Sequence, residues 1–132
     1  MTITAATPGT DEAGAAALGE QLIASATGRG RAAAQALVEE ETVLAMRSVR
    51  RLLVVEGEDG PVCRWEGLMG RLYGLGLDDA QRAFLGLVLG MVGIGLHTLS
   101  AVQELDERRL LILMRAMPIL AGNDRVAIGT RM

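Results

Sequence analysis

A stretch without a charged residue runs from Ala83 to Val102, a length of twenty residues. At about 100° per residue along a helix, its small and polar residues fall on one stripe, and large apolar residues cover the rest of the circumference. The pattern predicts a central apolar helix over about 79–104, buried either in protein or in lipid. The stripe consists of Gly86, Gly90, Gly93, His97 and Ser100.

Three glycines on one helical stripe need a compensating interaction. A glycine inside a helix costs about 1 kcal/mol relative to alanine, and three of them cost a large share of the stability of a typical domain. Close approach of another helix would compensate for this cost. We therefore predict that the stripe contacts a neighbouring helix, which belongs either to the same chain or to a second copy.

Helix-capping and helix-ending residues mark further segments. Asp78 followed by Gln81 resembles a capping box for the central helix, and Asp106 is placed to cap the last helix. Pro118 should kink or stop that helix, and Gly122 should end it. Apart from the central helix, the predicted helices cover about 11–27, 31–55, 61–73 and the segment from residue 107 to about 122.

The segment between residues 52 and 65 allows two interpretations. In the first, the second helix ends near Val55, a loop follows, and a new helix begins at Pro61. The alternative is a short β-hairpin with Asp59 and Gly60 at its turn. Both interpretations stay open at the level of sequence.

Length and composition limit the number of domains and the fold class. The chain has 132 residues, of which 50% are hydrophobic and 22% charged, a balance typical of one folded domain. We predict an all-α domain, a compact bundle of four to five helices, that spans residues 11–122. Residues 1–10 and 123–132 lack periodicity and are predicted to be flexible tails.

The central stretch is long enough to span a bilayer, and Gly86 with Gly90 forms a small-xxx-small pair. However, charges of both signs flank the stretch, no Trp or Tyr follows it, and His97 lies within it. These features favour burial in protein. The alternative is a small membrane-inserting protein anchored through residues 83–102.

The charged residues do not favour a nucleic-acid partner. The net charge is −3, all 13 Lys or Arg positions are arginine, and aromatic residues make up 2%, so neither phosphate binding nor base stacking is indicated. Arg47, Arg50 and Arg51 share a helix surface with Glu39 and Glu40, which predicts a salt-bridged surface. The absence of lysine with abundant alanine and glycine is typical of a GC-rich bacterial genome.

No catalytic, metal or cofactor site is predicted. The chain has one histidine and one cysteine, which excludes most His-based metal sites. Cys63 is expected to be an inert thiol in a reducing, cytoplasmic compartment. His97 is interpreted as a hydrogen-bonded buried imidazole, with a pH-sensitive contact to Glu104 as the alternative. The acidic run at residues 39–41 is interpreted as a solvated helix face.

The last predicted helix carries more apolar surface than one partner can cover. Five consecutive apolar residues point to all sides of a helix, so at least one faces away from any single neighbour. A second subunit would cover it. The sequence thus predicts a non-enzymatic helical interaction or assembly protein that forms a homo-oligomer and has no cofactor. The candidate interface is Leu110, Leu111, Ile112, Leu113 and Met114.

Overall fold

The computed structural model describes residues 12–94 and 98–123, and this part of the chain is mostly helical with one two-stranded sheet. The predicted tail over 1–10 lies outside the described residues, as does the tail over 123–132 except for its first residue. In chain order the elements are α1 (Glu12–Ser25), α2 (Gly28–Glu40), α3 (Thr42–Ala45), α4 (Arg47–Leu53), β1 (Val54–Gly57), β2 (Gly60–Cys63), two 3₁₀ helices (Trp65–Leu68 and Leu72–Gly74), α5 (Asp79–Met91), a third 3₁₀ helix (Leu99–Glu104) and α6 (Glu107–Leu120).

The prediction of one continuous helix over 31–55 is wrong, because the helical backbone is interrupted twice. Glu41 has a φ of +75°, which non-glycine residues rarely adopt, and Met46 is extended. The Glu40 side chain stabilises the first interruption, since its Oε1 accepts a hydrogen bond from the Val43 backbone N–H at 2.7 Å. This bond satisfies a free N–H in the first turn of α3, as a capping side chain does.

The hairpin alternative between residues 52 and 65 is confirmed, and the predicted helix over 61–73 is wrong. β1 pairs antiparallel with β2, with Val54 opposite Cys63. Gly60 adopts a φ of +119° where the second strand begins, a conformation that favours glycine. The Asp-Gly signal was therefore the correct one, and Pro61 lies within a strand rather than at a helix start.

Close backbone packing occurs at two glycines outside the predicted stripe. A Cβ on Gly67 would overlap the carbonyl oxygen of Leu52, so the first 3₁₀ helix packs directly on the end of α4. A Cβ on Gly19 would lie 2.9 Å from Cγ1 of Val38, which marks a tight contact between α1 and α2. These contacts hold the hairpin region and the first helix against the rest of the fold.

The helix predicted over about 79–104 starts as expected, as α5, but is shorter. Asp78 accepts a hydrogen bond from the Gln81 backbone N–H at 2.7 Å, and the Gln81 side chain accepts from the Asp78 N–H at 3.0 Å, which completes the capping box. The helix ends at Met91 rather than near residue 104. Gly93 has a φ of +78° and donates its N–H to the Gly90 carbonyl at 3.1 Å, a left-handed helix termination.

A single helix over 83–102, as the membrane-anchor alternative requires, is not formed. α5 comprises 13 residues, and the chain continues after it as the 3₁₀ helix at Leu99–Glu104. Within residues 12–94 and 98–123, no helix has both the length and the apolar character needed to cross a membrane.

The predicted ends of the last helix are confirmed. The Asp106 side chain accepts a hydrogen bond from the Arg109 backbone N–H at 3.0 Å and caps the start of α6. Pro118 lies in the last turn, and the helix stops two residues later, at Leu120. Gly122 follows with a φ of +71°. A proline so close to the end removes one hydrogen bond where the helix is about to stop.

Buried aliphatic side chains from all six α-helices form one connected core. α2 lies against both α5 and α6, while α1 packs on α2 and on β2. Glu40 is the one charged side chain among the buried residues that the structure describes. The largest fully buried apolar side chains are Leu22, Leu37, Leu44, Leu53, Leu68, Phe84, Leu85, Leu89 and Ile112.

Candidate interaction groove

A surface groove lies between α5, the 3₁₀ helix at Leu99–Glu104 and α6. It has a volume of about 270 Å³. None of the described residues that line it carries a charge, and three of them are methionines. The lining residues are Leu87, Gly90, Met91, Leu99, Val102, Leu110, Leu113, Met114, Met117 and Leu120.

α6 forms one wall of the groove because it is apolar on two faces. The face that carries Ile112 and Ala116 is buried in the core, with these side chains 1% and 4% exposed. Leu110, Met114 and Met117 follow the i, i+4, i+7 spacing of a second face. They are 37%, 37% and 48% exposed. The core covers the first face of α6, and the described chain leaves the second one open.

The groove concentrates apolar surface that is otherwise scattered. Eight large hydrophobic side chains are exposed among the described residues, and four of them line this groove. Leu99 stands on the wall opposite α6 and is 69% exposed. Single exposed apolar residues are ordinary, and this groove is the place where four of them lie together. The groove is therefore the candidate functional site.

Three of the five residues of the predicted oligomer interface meet in the groove. Leu110, Leu113 and Met114 line it. Leu111 is half-buried, and Ile112 belongs to the core. The residues that face away from the core are thus the ends of the predicted run and not its middle.

The predicted glycine stripe is not continuous, and among its members that the structure describes only Gly90 lines the groove. A Cβ on Gly90 would meet no heavy atom within 4 Å, so no helix of the described chain approaches it closely. Gly86 is buried in α5, whereas Gly93 ends that helix. Ser100 is exposed on the 3₁₀ helix. His97 lies outside the described residues.

A polar cluster, which the sequence did not predict, joins the start of α6 to the end of α2. Glu40 is fully buried, so the interpretation of residues 39–41 as a solvated face is wrong for this residue, whereas Glu39 and Glu41 are exposed. Its carboxylate accepts hydrogen bonds from Arg109 Nε at 2.9 Å and from the Thr42 hydroxyl. Arg108 donates to the Glu40 backbone carbonyl at 2.7 Å. These contacts fix the position of α6, and therefore of the groove wall.

The polar cluster extends to α5 and along α6. The Gln81 side chain at the start of α5 donates to the Thr42 hydroxyl at 3.1 Å. Further along α6, Arg115 pairs with the Glu39 carboxylate. Glu40 and Arg109 are 69 residues apart in the chain. Because no local pattern connects positions so distant, the periodicity of either helix carries no signal for this pair.

Cys63 lies in β2 and is partly buried. Burial raises the pKa of the Cys63 thiol to about 12, so the thiolate, which is the reactive form, is scarce at neutral pH. In the part of the chain that the structure describes, no three His, Cys, Asp or Glu side chains are grouped to hold a metal ion.

Comparison with protein-family models, with curated proteins and with solved structures finds no match for this chain.

Proposed function

We propose that the chain is a non-enzymatic interaction protein that assembles with copies of itself through the apolar groove. The observation that supports this is the grouping of exposed Leu99, Leu110, Met114 and Met117 in one concave surface. Burial of apolar surface is worth about 25 cal/mol per Å². A partner that covers the groove would gain this free energy without any change in the core.

The groove suits the binding of an apolar helix or ridge. Its described lining residues are leucine, valine, methionine and glycine, which provide no acid or base for a reaction. Met114 and Met117 have flexible, polarisable side chains that adapt to different partner shapes. The open space at Gly90 lets a partner side chain reach the backbone of α5. In this proposal, a second copy makes the helix contact that the sequence predicts at Gly90.

A reducing, cytoplasmic compartment is part of the proposal. The chain has a single cysteine, so no disulfide within the chain is available to stabilise it. Cys63 is partly buried between the hairpin and the core, and its raised pKa of about 12 keeps it as a thiol. Without a disulfide within the chain, the fold is stabilised by its apolar core and by the polar cluster.

The mass of the purified protein in solution tests the proposal. Sedimentation equilibrium at micromolar concentration should give a mass above that of the 13.9 kDa chain. Met117→Glu places a charge in the groove and should yield a monomer. Met69→Glu is the matched control, because Met69 is 54% exposed and Met117 is 48% exposed, but Met69 does not line the groove.

The two variants separate the groove from general surface effects. Circular dichroism should show that both fold like the native chain, because each substituted side chain is already exposed. A native protein that stays monomeric up to high micromolar concentration would overturn the proposal. Equal effects of Met117→Glu and Met69→Glu would show that association does not use the groove.

A further inference from the structure

A second pocket, polar rather than apolar, lies beside the start of α5. It has a volume of about 340 Å³, within the range of about 300–1,000 Å³ that is typical of small-molecule sites. None of its described lining residues lines the apolar groove, so a ligand here does not depend on self-association. The described lining residues are Tyr73, Asp79, Arg82, Ala83, Ala101 and Glu104.

Arg82 has one buried donor without an acceptor. Its Nη1 donates to Asp79 Oδ1 at 2.9 Å, and its Nη2 donates to the Leu77 carbonyl at 3.1 Å. The Tyr73 ring covers the guanidinium, with its centroid 4.4 Å from the guanidinium carbon. The Arg82 Nε–H is buried and makes no hydrogen bond to any residue that the structure describes. Because buried donors rarely lack an acceptor, this N–H is a position for an acceptor from outside the chain.

Glu104 adds a carboxylate from a different element. It is the last residue of the 3₁₀ helix at Leu99–Glu104 and is exposed. Within the part of the chain that the structure describes, its side chain has no hydrogen-bond or ion-pair partner. The other carboxylate of the pocket, Asp79, already pairs with Arg82. The pocket therefore presents an unpaired donor on α5 and an unpaired acceptor on the 3₁₀ helix.

The three charged lining residues select the charge of a ligand. Asp79 and Glu104 repel a simple anion. Arg82 repels a simple cation, which would also leave the Nε–H without an acceptor. A zwitterion satisfies both unpaired groups. We infer that this pocket binds a free amino acid, whose carboxylate accepts from the Arg82 Nε–H and whose ammonium group lies toward Glu104.

The remaining lining residues fit a small ligand of this class. Ala83 and Ala101 are half-buried and leave space for a short ligand side chain. Tyr73 is 86% exposed, so its ring can turn away from the guanidinium and admit the ligand without a loss of core packing. The Arg82 Nε is shielded from solvent, and there a charge-assisted hydrogen bond is stronger than in water.

Nuclear magnetic resonance of ¹⁵N-labelled protein tests the site, with the standard amino acids added one at a time. At least one of them should give a saturable shift of the Arg82 Nε–H signal and of the backbone amides around Arg82 and Glu104. Glycine, N-acetylglycine and glycinamide then form a matched set of probes, because the second lacks the ammonium group and the third lacks the carboxylate. Each should bind about tenfold or more weakly than glycine, as expected for the loss of one charge-assisted hydrogen bond.

Two conservative variants test the residues. Glu104→Gln removes the carboxylate charge, and Arg82→Lys keeps the positive charge but removes the Nε–H donor. Each should weaken amino-acid binding by about tenfold or more. The matched controls are Glu107→Gln and Arg71→Lys, since Glu107 and Arg71 are exposed and do not line the pocket. Circular dichroism checks the fold of each variant, and if Arg82→Lys does not fold, Glu104→Gln and the probe set still decide.

The titration is repeated in the Met117→Glu variant, so that its outcome is separate from that of the proposed function. The absence of a saturable shift with every amino acid would overturn the site, even if the native chain associates. Equal binding of glycine and either of its two analogues would show that the pocket does not recognise a zwitterion. If Glu104→Gln weakens binding no more than Glu107→Gln does, the ligand does not lie in this pocket.

Discussion

The start of α6 and its open face differ in the kind of contact they make. Polar contacts within the chain fix the start, whereas the open face consists of exposed apolar side chains. At the start, Glu40, Arg109 and Thr42 form hydrogen bonds and an ion pair with one another within the chain. Along the open face, Leu110 and Met114 remain exposed. A buried charge without a partner costs far more than an exposed apolar side chain. The polar contact must therefore be satisfied within each chain, whereas the apolar face stays exposed in the single chain and is covered by a second copy only in the proposed assembly.

Removal of Glu40 should have the largest effect on folding. Glu40→Ala removes the buried partner of Arg109, which keeps its ion pair with the more exposed Asp106, and the loss of one member of a buried ion pair costs up to about 3–5 kcal/mol. Urea unfolding, followed by circular dichroism, measures this as a decrease in the free energy of unfolding. Glu40→Gln should cost less, because its amide oxygen still accepts a hydrogen bond from the Val43 N–H.

Glu20→Ala is the matched control for this measurement. Glu20 is an exposed glutamate on α1, so its removal should change the free energy of unfolding by less than about 0.5 kcal/mol. If Glu40→Ala lowers the free energy of unfolding no more than Glu20→Ala does, the polar cluster does not fix the position of α6. The contrast between the polar start and the apolar open face of α6 would then be wrong.

Gly93→Ala should destabilise the fold by about 1–2 kcal/mol, because a left-handed conformation is unfavourable for a residue with a Cβ. Gly93 has a φ of +78°, and its Cβ would also approach Arg29 Nη1 to 3.3 Å. Thermal unfolding should show a lower midpoint. A higher midpoint would indicate that α5 continues past Gly93, as the sequence pattern predicted, because alanine is favoured over glycine inside a helix.

Gly90→Ala should have the opposite sign. Gly90 lies inside α5, and a Cβ there meets no heavy atom within 4 Å. Alanine is favoured over glycine in a helix by up to about 1 kcal/mol. The measurement is best made in the Met117→Glu background, which we expect to be monomeric. A lower stability in that background would mean that a helix of the same chain packs on Gly90.

The starts of α5 and α6 were predictable because their signals are local. Asp78 and Asp106 cap their helices through bonds that span three residues, and such short-range pairs are visible in the sequence. Gly93 was harder, because a glycine in an apolar run is either part of a packing stripe or a helix terminator. Which of the two applies depends on whether the residues after Gly93 would pack against another part of the protein if they stayed helical.

The break in the helix predicted over 31–55 was not predictable from periodicity. Apolar spacing continues through Glu41, and the interruption is stabilised by Arg109 from a distant helix. The groove was predictable in part. The apolar run at residues 110–114 indicated an unpaired helix face, but the participation of Leu99 and Met117 depends on where the 3₁₀ helix and the last turns of α6 lie.

The ion pair between Arg115 and Glu39 should have the smallest effect. Its side chains are 34% and 45% exposed, and exposed pairs contribute about 0–1 kcal/mol. Arg115→Met keeps most of the aliphatic stem and removes only the charge, so it isolates the electrostatic contribution. The small loss in the free energy of unfolding should decrease further in 1 M salt, where the Debye length is about 3 Å. If the free energy of unfolding fell by more than about 2 kcal/mol, and if salt did not change this loss, the stabilising polar contacts would extend along α6 beyond its first turns. The division between a polar start and an apolar open face would then be wrong.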